Sequence, residues 1–286
     1  MLLAALLFVQ AVISVRTELV TVPVTVTGAG GAHVEGLAKD HFRVFEDGRP
    51  QAIAVFHHGD VPVTLGLVVD RSGSARTRNG ALQGAVSALL QLTRPDDQLF
   101  GLGFNDDVSF ALGANLPFTA DPVRLETGLS AIAAEGRTAL YDGVVEGLRH
   151  LERAPSGKKV LVVISDGGDN ASRETYAGVV ALARRSDAVI YAIGLADASK
   201  DDRDANPGLL KRLSRDTGGI AYFPRNHADT IAAAQHLARD LRGQYLLGFS
   251  PDSPPGDRFR RLTVTVSAPG HGRLKVRARP GYVSQP

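Results

Sequence analysis

The sequence predicts an α/β protein: a doubly wound, mostly parallel sheet inserted in a small β-sandwich that the N- and C-terminal segments build together. Three observations carry this expectation. In the middle of the chain, four continuous apolar runs, VTLGLVV, QLFGLGF, KVLVVIS and AVIYAIG, alternate with helical stretches. Runs of this kind are typical of parallel strands covered on both faces. At both ends the apolar residues instead recur at a period of two, as in half-buried antiparallel strands. Neither β-rich end has enough strands to bury a core alone, so joining them into one module is the economical solution.

The elements can be taken in chain order. Residues 1–15, MLLAALLFVQAVISV, are apolar apart from Gln10 and Ser14. A membrane-spanning helix needs about 20 such residues, and the run fits the apolar part of a secretory signal peptide better. It has no basic residue before Arg16 and no A-x-A site, with Val12 and Ser14 as a permissive cleavage pair. Export to the periplasm, cell surface or exterior is the expectation. Residues 16–60 read as the N-terminal part of the β module. There Val20, Val22, Val24 and Val26 share one face of a half-buried strand, Pro23 suggests an edge position, and Asp47-Gly48 between two β-rich runs signals a hairpin.

Residues 61–243 read as the α/β domain, with helices expected over 79–92, 121–134, 139–153, 172–185 and 226–242. In the last of these Ile231, Leu237, Ala238 and Leu241 can share an apolar face. Residues 244–286 return to a period of two: YLLGFSP, RRLTVTVSA and RLKVRARPGY are strands divided by turns rich in Pro, Gly and Asp.

Composition narrows the function. Of 286 residues, 44% are hydrophobic and 22% charged, the balance of an ordinary globular protein. A net charge of +2 argues against a dedicated nucleic-acid binder, which would gather basic residues on one face. The chain has no cysteine, which excludes disulfides, thiolate metal sites and cysteine nucleophiles. It also lacks HExxH, GxSxG, a Walker P-loop and a dinucleotide fingerprint. The eight histidines are scattered, and His57-His58 fall in what reads as a linker of the β unit. An enzyme is not expected.

A binding site is. Ligands of open α/β sheets lie at the carboxyl ends of strands where the strand order reverses. The run VTLGLVV ends in Asp70-Arg71-Ser72-Gly73-Ser74, so Asp70, Ser72 and Ser74 alternate along an extended loop and their oxygens can converge. Gly73 would let the backbone turn tightly between them. A second loop, Glu135-Gly136-Arg137-Thr138, presents a hydroxyl just before a helix. The run KVLVVIS ends in Ser165-Asp166-Gly167-Gly168, which adds a second carboxylate. Such an all-oxygen set suits Mg²⁺ or Mn²⁺. Without a cation, two carboxylates about 5 Å apart repel by roughly 3 kcal/mol at an effective dielectric of 20.

The DxSxS loop after an apolar strand, a loop Thr, and Asp-Gly after a later strand resemble the metal-ion-dependent adhesion site of von Willebrand factor A domains, a Rossmann-like fold. The resemblance covers roughly residues 61–243. The flanking VTVPVTVTGAGGAHVEGLAKDHFRVFEDGRPQAI, with TALYDGV, VVISDGGDNAS, YLLGFSP and RPGY, resembles the bacterial members and extends it to nearly the whole chain from Arg16. The pattern usually has Met after the second serine; here it is Ala75, a position that binds no metal. The resemblance implies that Ser72 and Ser74 ligate the cation directly and that Asp70 and Asp166 act through water. Thr138 would join or leave the shell as the site changes state. A carboxylate from a protein partner would complete the octahedron.

Other signals are weaker. Asp202-x-Asp204-x-Asn206 looks like the start of an EF-hand loop, but Pro207 stands where glycine is required and Leu213 where Glu should be. Arg71, Arg76, Arg78, Arg137 and Arg173 lie in or beside the site loops and suggest a basic rim for acidic partners. Arg273, Lys275, Arg277 and Arg279 alternate with apolar residues and read as the solvent face of one strand, open to an anionic envelope partner. Three functions follow in order: a cation-dependent adhesion or assembly module, an accessory subunit of an envelope or ATPase-linked complex, and a metal-dependent hydrolase. The last lacks a general base with a recognisable setting.

Overall fold

In the computed structural model, which describes residues 19–59, 61–155, 157–195, 205–252 and 256–284, the chain opens with strands β1 (Val20–Thr27), β2 (Phe42–Glu46), β3 (Arg49–Gln51) and β4 (Val55–His58). The α/β part follows as β5 (Val63–Asp70), α1 (Asn79–Leu90), β6 (Gln98–Phe104), β7 (Val108–Phe110), α2 (Pro122–Ala131), α3 (Leu140–Leu151) and β8 (Lys158–Ser165). It continues through α4 (Tyr176–Arg185), β9 (Val189–Gly194), α5 (Pro207–Thr217), β10 (Ala221–Tyr222) and α6 (His227–Gly243). Strands β11 (Tyr245–Phe249), β12 (Phe259–Val266), β13 (Lys275–Arg277) and β14 (Gly281–Val283) close the chain. The apolar segment at residues 1–15 lies outside the described residues, as do Asp202 and Asp204. Among the described residues no helix is long and apolar enough to cross a membrane.

The six-stranded sheet has the order β10-β9-β8-β5-β6-β7, parallel except for the edge strand β7. Its middle strands are buried on both faces; every residue of β5 is buried, which explains why the strands read as unbroken apolar runs. One face is covered by α1, α2 and α6, through Leu82, Leu125, Leu129, Ala234 and Leu237 among others. The other is covered by α3, α4 and α5, through Leu140, Val144, Val179 and Leu210. This is the expected doubly wound arrangement. Because β6 lies on one side of β5 and β8 on the other, the winding reverses at β5. Local chemistry agrees with these boundaries: Asp121 caps α2 by accepting from the Val123 and Arg124 amides, with Pro122 as the first helical residue.

The ends of the chain interleave. One antiparallel sheet has the order β13-β1-β11-β4 and the other β14-β12-β2-β3, so each mixes strands from both termini. Their shared core contains Val22, Val24, Val26, Phe42, Val44, Tyr245, Leu247 and Phe249. The Asp47-Gly48 turn closes the β2–β3 hairpin, with both residues at positive φ (47° and 83°), as a type I′ turn requires.

Several local expectations differ. Strand β1 is buried on both faces rather than one: its valines enter the sandwich core, while Thr25 on the opposite face meets Asp240 of α6. Pro23 lies in the half of β1 that pairs with β11, and the following Thr25–Thr27 stretch pairs with β13. His57 and His58 belong to strand β4 rather than a linker, and His58 stacks on Tyr245 with ring centroids 4.1 Å apart. In α6, Ile231 is exposed, and the packed face is Thr230, Ala233, Ala234, Leu237 and Leu241.

Candidate functional site

Three loops meet at the carboxyl edge of the parallel sheet, beside the point where the winding reverses. Asp70 ends β5, and Ser165 ends the neighbouring β8. The two are joined: the Ser165 hydroxyl donates to Asp70 Oδ2 at 2.8 Å. The other carboxylate oxygen, Oδ1, accepts from the Ser72 amide at 3.0 Å and from the Ser72 hydroxyl at 2.6 Å. Asp70 is thus a buried carboxylate held by three hydrogen bonds. Burial pushes its pKa up, and the nearby Asp166 charge adds to this, against the lowering effect of those bonds.

The Ser72 hydroxyl gives its proton to Asp70, which leaves its oxygen free to act as an acceptor or ligand. Ser74 Oγ lies 3.1 Å from Ser72 Oγ. Two oxygens in adjacent positions of an octahedron around Mg²⁺ are about 2.9 Å apart, so this spacing matches a pair of adjacent ligands. Among the described residues no three His, Asp or Glu side chains cluster as metal ligands, so a cation site here must draw on hydroxyls. The donor set at this edge is of that kind, and it fits a hard divalent ion.

Asp166 is fixed by its own turn: Gly168 donates its amide to Asp166 Oδ1 at 2.8 Å. Gly167 has φ 88°, and a Cβ there would come within 2.4 Å of the Asn206 carbonyl oxygen, so only glycine fits this turn. The second oxygen of Asp166 faces Arg78, whose Nη2 is 2.6 Å away. Arg78 Nη2 also lies 3.4 Å from Ser74 Oγ. The unrelieved repulsion expected between two bare carboxylates is therefore offset by a guanidinium supplied by the chain itself.

Thr138 lies on the third loop, buried, immediately before α3. Its amide donates to Asn170 Oδ1 at 2.9 Å, and its carbonyl accepts from the Asn170 and Ala171 amides. The Thr138 loop is thereby locked to the loop that carries Asp166. It is also joined to the serine loop, since the Gly73 amide donates to the Gly136 carbonyl at 2.9 Å. Gly73 itself is in ordinary right-handed helical conformation, φ −59° and ψ −36°. Its role is close approach, because a Cβ would sit 3.2 Å from the Gly136 oxygen; no special turn geometry is involved. Among the described residues no hydrogen bond joins the Thr138 hydroxyl to Asp70, Ser72, Ser74 or Asp166.

The basic rim is only partly there. Arg76, Arg137 and Arg173 are exposed, but Arg137 pairs with Asp106 at 2.9 Å and Arg173 with Asp107 at 3.5 Å. Arg71 turns away from the site, donating to the Ile132 carbonyl and to Asn79, and Arg78 is buried. Ser165 and Asn170 join the site with no motif to mark them, and Arg78 joins it as the buried partner of Asp166 rather than as part of an exposed basic rim. Ser165 is legible only as the neighbour of Asp166 at the same strand end, and Asn170 only as a residue of the loop that follows.

An α/β sheet wound in both directions from β5, with a DxSxS loop and an Asp-Gly turn at its carboxyl edge, defines a von Willebrand factor A-type fold. The chain belongs to the von Willebrand factor type A domain family, whose model matches residues 65–235. Among solved structures it is similar to a von Willebrand factor type A protein from Catenulispora acidiphila, with a TM-score of 0.56 and 13% identity over 86% of this chain and 74% of that one. It is also similar to proximal thread matrix protein 1 of the mussel byssus (TM-score 0.52, 14% identity, 69% and 51% covered). The pilus adhesin SpaC of Lactobacillus rhamnosus GG, in its open conformation, is a third (TM-score 0.51, 11% identity, 84% and 46% covered). At these identities the likeness is one of fold. No curated protein matches the chain.

Proposed function

We propose that the protein is a non-catalytic binding module that takes a divalent cation, Mg²⁺ or Mn²⁺, at the β5 edge and grips a protein partner through an Asp or Glu side chain of that partner. The observation that carries this reading is the 3.1 Å separation of the Ser72 and Ser74 hydroxyls, backed by the pinned Asp70 carboxylate and flanked by Asp166. Ser72 and Ser74 would hold the ion directly, Asp70 and Asp166 through water, and Thr138 would exchange in and out of the shell. When bound, such an ion supplies a positive centre with an open position for a carboxylate. Neutral hydroxyl ligands leave most of that charge for the incoming group, and Arg76 at the exposed rim favours the approach of acidic surfaces.

Two of the similar folds are, by name, a pilus adhesin and a byssus matrix protein. Together with the apolar N-terminal run, they support an exported protein at the cell envelope, where it would act in adhesion or assembly.

The test is direct. Calorimetric titration of the full chain with Mg²⁺ should show saturable binding, and Ser72→Ala should weaken it at least tenfold; because the lost hydroxyl also holds buried Asp70, circular dichroism of the variant checks that the fold is kept. An array of Asp- and Glu-containing peptides, probed with Mg²⁺ and then with EDTA, should show capture only with the metal and only by the unmodified chain. Capture that persists in EDTA and in Ser72→Ala would place the binding surface elsewhere.

A further inference from the structure

The residue that the motif does not supply is Arg78. It ends the 3₁₀ turn Ser74–Arg78 that follows the serine loop, and it is 9% exposed. Among the described residues its guanidinium meets Leu195 on one side and the site oxygens on the other. Nη1 donates to the Leu195 carbonyl at 3.1 Å, just beyond the end of β9. Nη2 lies 2.6 Å from Asp166 Oδ2 and 3.4 Å from Ser74 Oγ. A buried cation already belongs to the site, then, and it uses the same oxygen lone pairs that a divalent ion would need. Asp166 has two carboxylate oxygens: one is taken by the Gly168 amide and the other by Arg78. Ser74 is likewise shared between Ser72 and Arg78.

Resting on the cation reading above, we propose that Arg78 is an internal competitor for that site. Its guanidinium holds Asp166 and Ser74 while no divalent ion is bound, must leave them when one enters, and thereby sets the affinity of the site for metal. Two like-signed centres cannot share these oxygens at hydrogen-bonding distance, since bringing a guanidinium beside a divalent ion in a buried setting is strongly repulsive. The pair also accounts for how two buried carboxylates coexist at this edge without metal. An arginine suits the task because its planar fork bridges a carbonyl on one side and a carboxylate on the other, and it stays charged at any pH the protein meets.

The experiment is a titration of the full chain with Mn²⁺, read by the loss of the free-ion electron paramagnetic resonance signal, for the wild type, Arg78→Gln and Arg78→Ala. Melting temperatures are measured in EDTA and in saturating Mg²⁺. The proposal predicts that Arg78→Gln binds Mn²⁺ at least tenfold more tightly than the wild type. It also predicts that this variant melts lower in EDTA and recovers in Mg²⁺. In Arg78→Ala, added methylguanidinium should weaken Mn²⁺ binding competitively, whereas it should leave the wild type unaffected. A merely structural arginine would lower the melting temperature equally in EDTA and Mg²⁺ and leave the affinity of the folded protein unchanged, and that pattern would overturn the proposal. Should Arg78→Gln fail to fold, the Mn²⁺ affinity of the wild type against that of Arg78→Ala, with and without methylguanidinium and with no Mg²⁺ present, decides by the same criterion. Equal affinities would refute the competition while leaving the cation site standing. An absence of Mn²⁺ binding in all three proteins would remove the cation reading and the competition with it.

Discussion

Asp70 and Lys158 show how far single residues can depart from what their type suggests. Asp70 sits at the end of a strand that is buried throughout, and only the spacing of Ser72 and Ser74 after it marks it as a site residue. The hydroxyl of Ser165 that pins its other oxygen stands in plain sight in the sequence but belongs to no motif. Arg78 illustrates the opposite case: composition groups it with Arg71, Arg76, Arg137 and Arg173, yet of the two that are buried, Arg71 and Arg78, only Arg78 pairs with Asp166, while Arg71 donates to Ile132 and Asn79. Which buried arginine faces the site depends on side-chain packing, and no periodicity encodes that. Lys158 opens β8 and is buried, yet its Nζ donates to the Leu241 and Gln244 carbonyls at 2.9 Å each, closing the end of α6. Burial, with Arg242 nearby, lowers its pKa to about 8. The unfolded chain keeps that proton up to its ordinary pKa of about 10.4. Between these values the unfolded state binds more protons than the folded one, so stability from this residue rises with pH, by up to about 1.4 kcal/mol per pH unit. Comparing melting temperatures of the wild type and Lys158→Met at pH 7 and pH 10 should show the difference shifting in favour of the wild type at pH 10. A difference that stays flat would mean that Lys158 is not desolvated.

At the scale of elements, the four core strands and five of the helices follow from apolar continuity and 3.6-residue periodicity, and the β2–β3 hairpin follows from its Asp-Gly turn. What periodicity could not give is which face of an element meets another element. Strand β1 reads as half-buried because Thr21, Pro23, Thr25 and Thr27 alternate with its valines. It is buried because Thr25 donates to Asp240 Oδ1 at 3.1 Å. The same carboxylate accepts from Tyr191 of β9 and from Arg277 of β13, which also donates to Thr25 at 2.9 Å. The alternation of Arg273, Lys275, Arg277 and Arg279 reads as a solvent face, but Arg277 and Arg279 point inward; Arg279 donates to the Ser186 and Arg184 carbonyls. A polar residue reads as exposed unless its partner is known, and here the partners are more than thirty residues away. Replacing Arg277 by Ala leaves Asp240, 3% exposed, without its cation. The expected loss is about 3 kcal/mol, the low end of the range for breaking a buried pair because Arg277 itself is a quarter exposed. Chemical denaturation should detect that loss as a lower midpoint with an unchanged slope. A loss below about 0.5 kcal/mol would make the pair an ordinary surface contact.

On the scale of the whole molecule, the two ends of the chain build one sandwich, and the last helix of the α/β part runs directly into its strand β11. The Asp240–Arg277–Thr25 cluster and Lys158 lie where these parts meet, so the β module is fastened to α6 by buried polar contacts as well as by the chain. The site sits on the carboxyl edge of the sheet, where three loops from separate parts of the sequence are locked together by the Gly73–Gly136 and Thr138–Asn170 hydrogen bonds. That convergence could be read from the sequence because topology places every carboxyl end of a parallel sheet on one side. The guanidinium standing among those oxygens could not. The proposed function requires a divalent ion between the two serine hydroxyls, and the most direct measurement is the anomalous difference map of a crystal grown with Mn²⁺. A peak about 2 Å from both Ser72 Oγ and Ser74 Oγ, absent from Ser72→Ala, with the Arg78 guanidinium moved off Asp166, is the predicted result. Manganese bound only at other places, with Arg78 still paired to Asp166 at saturating metal, would contradict it.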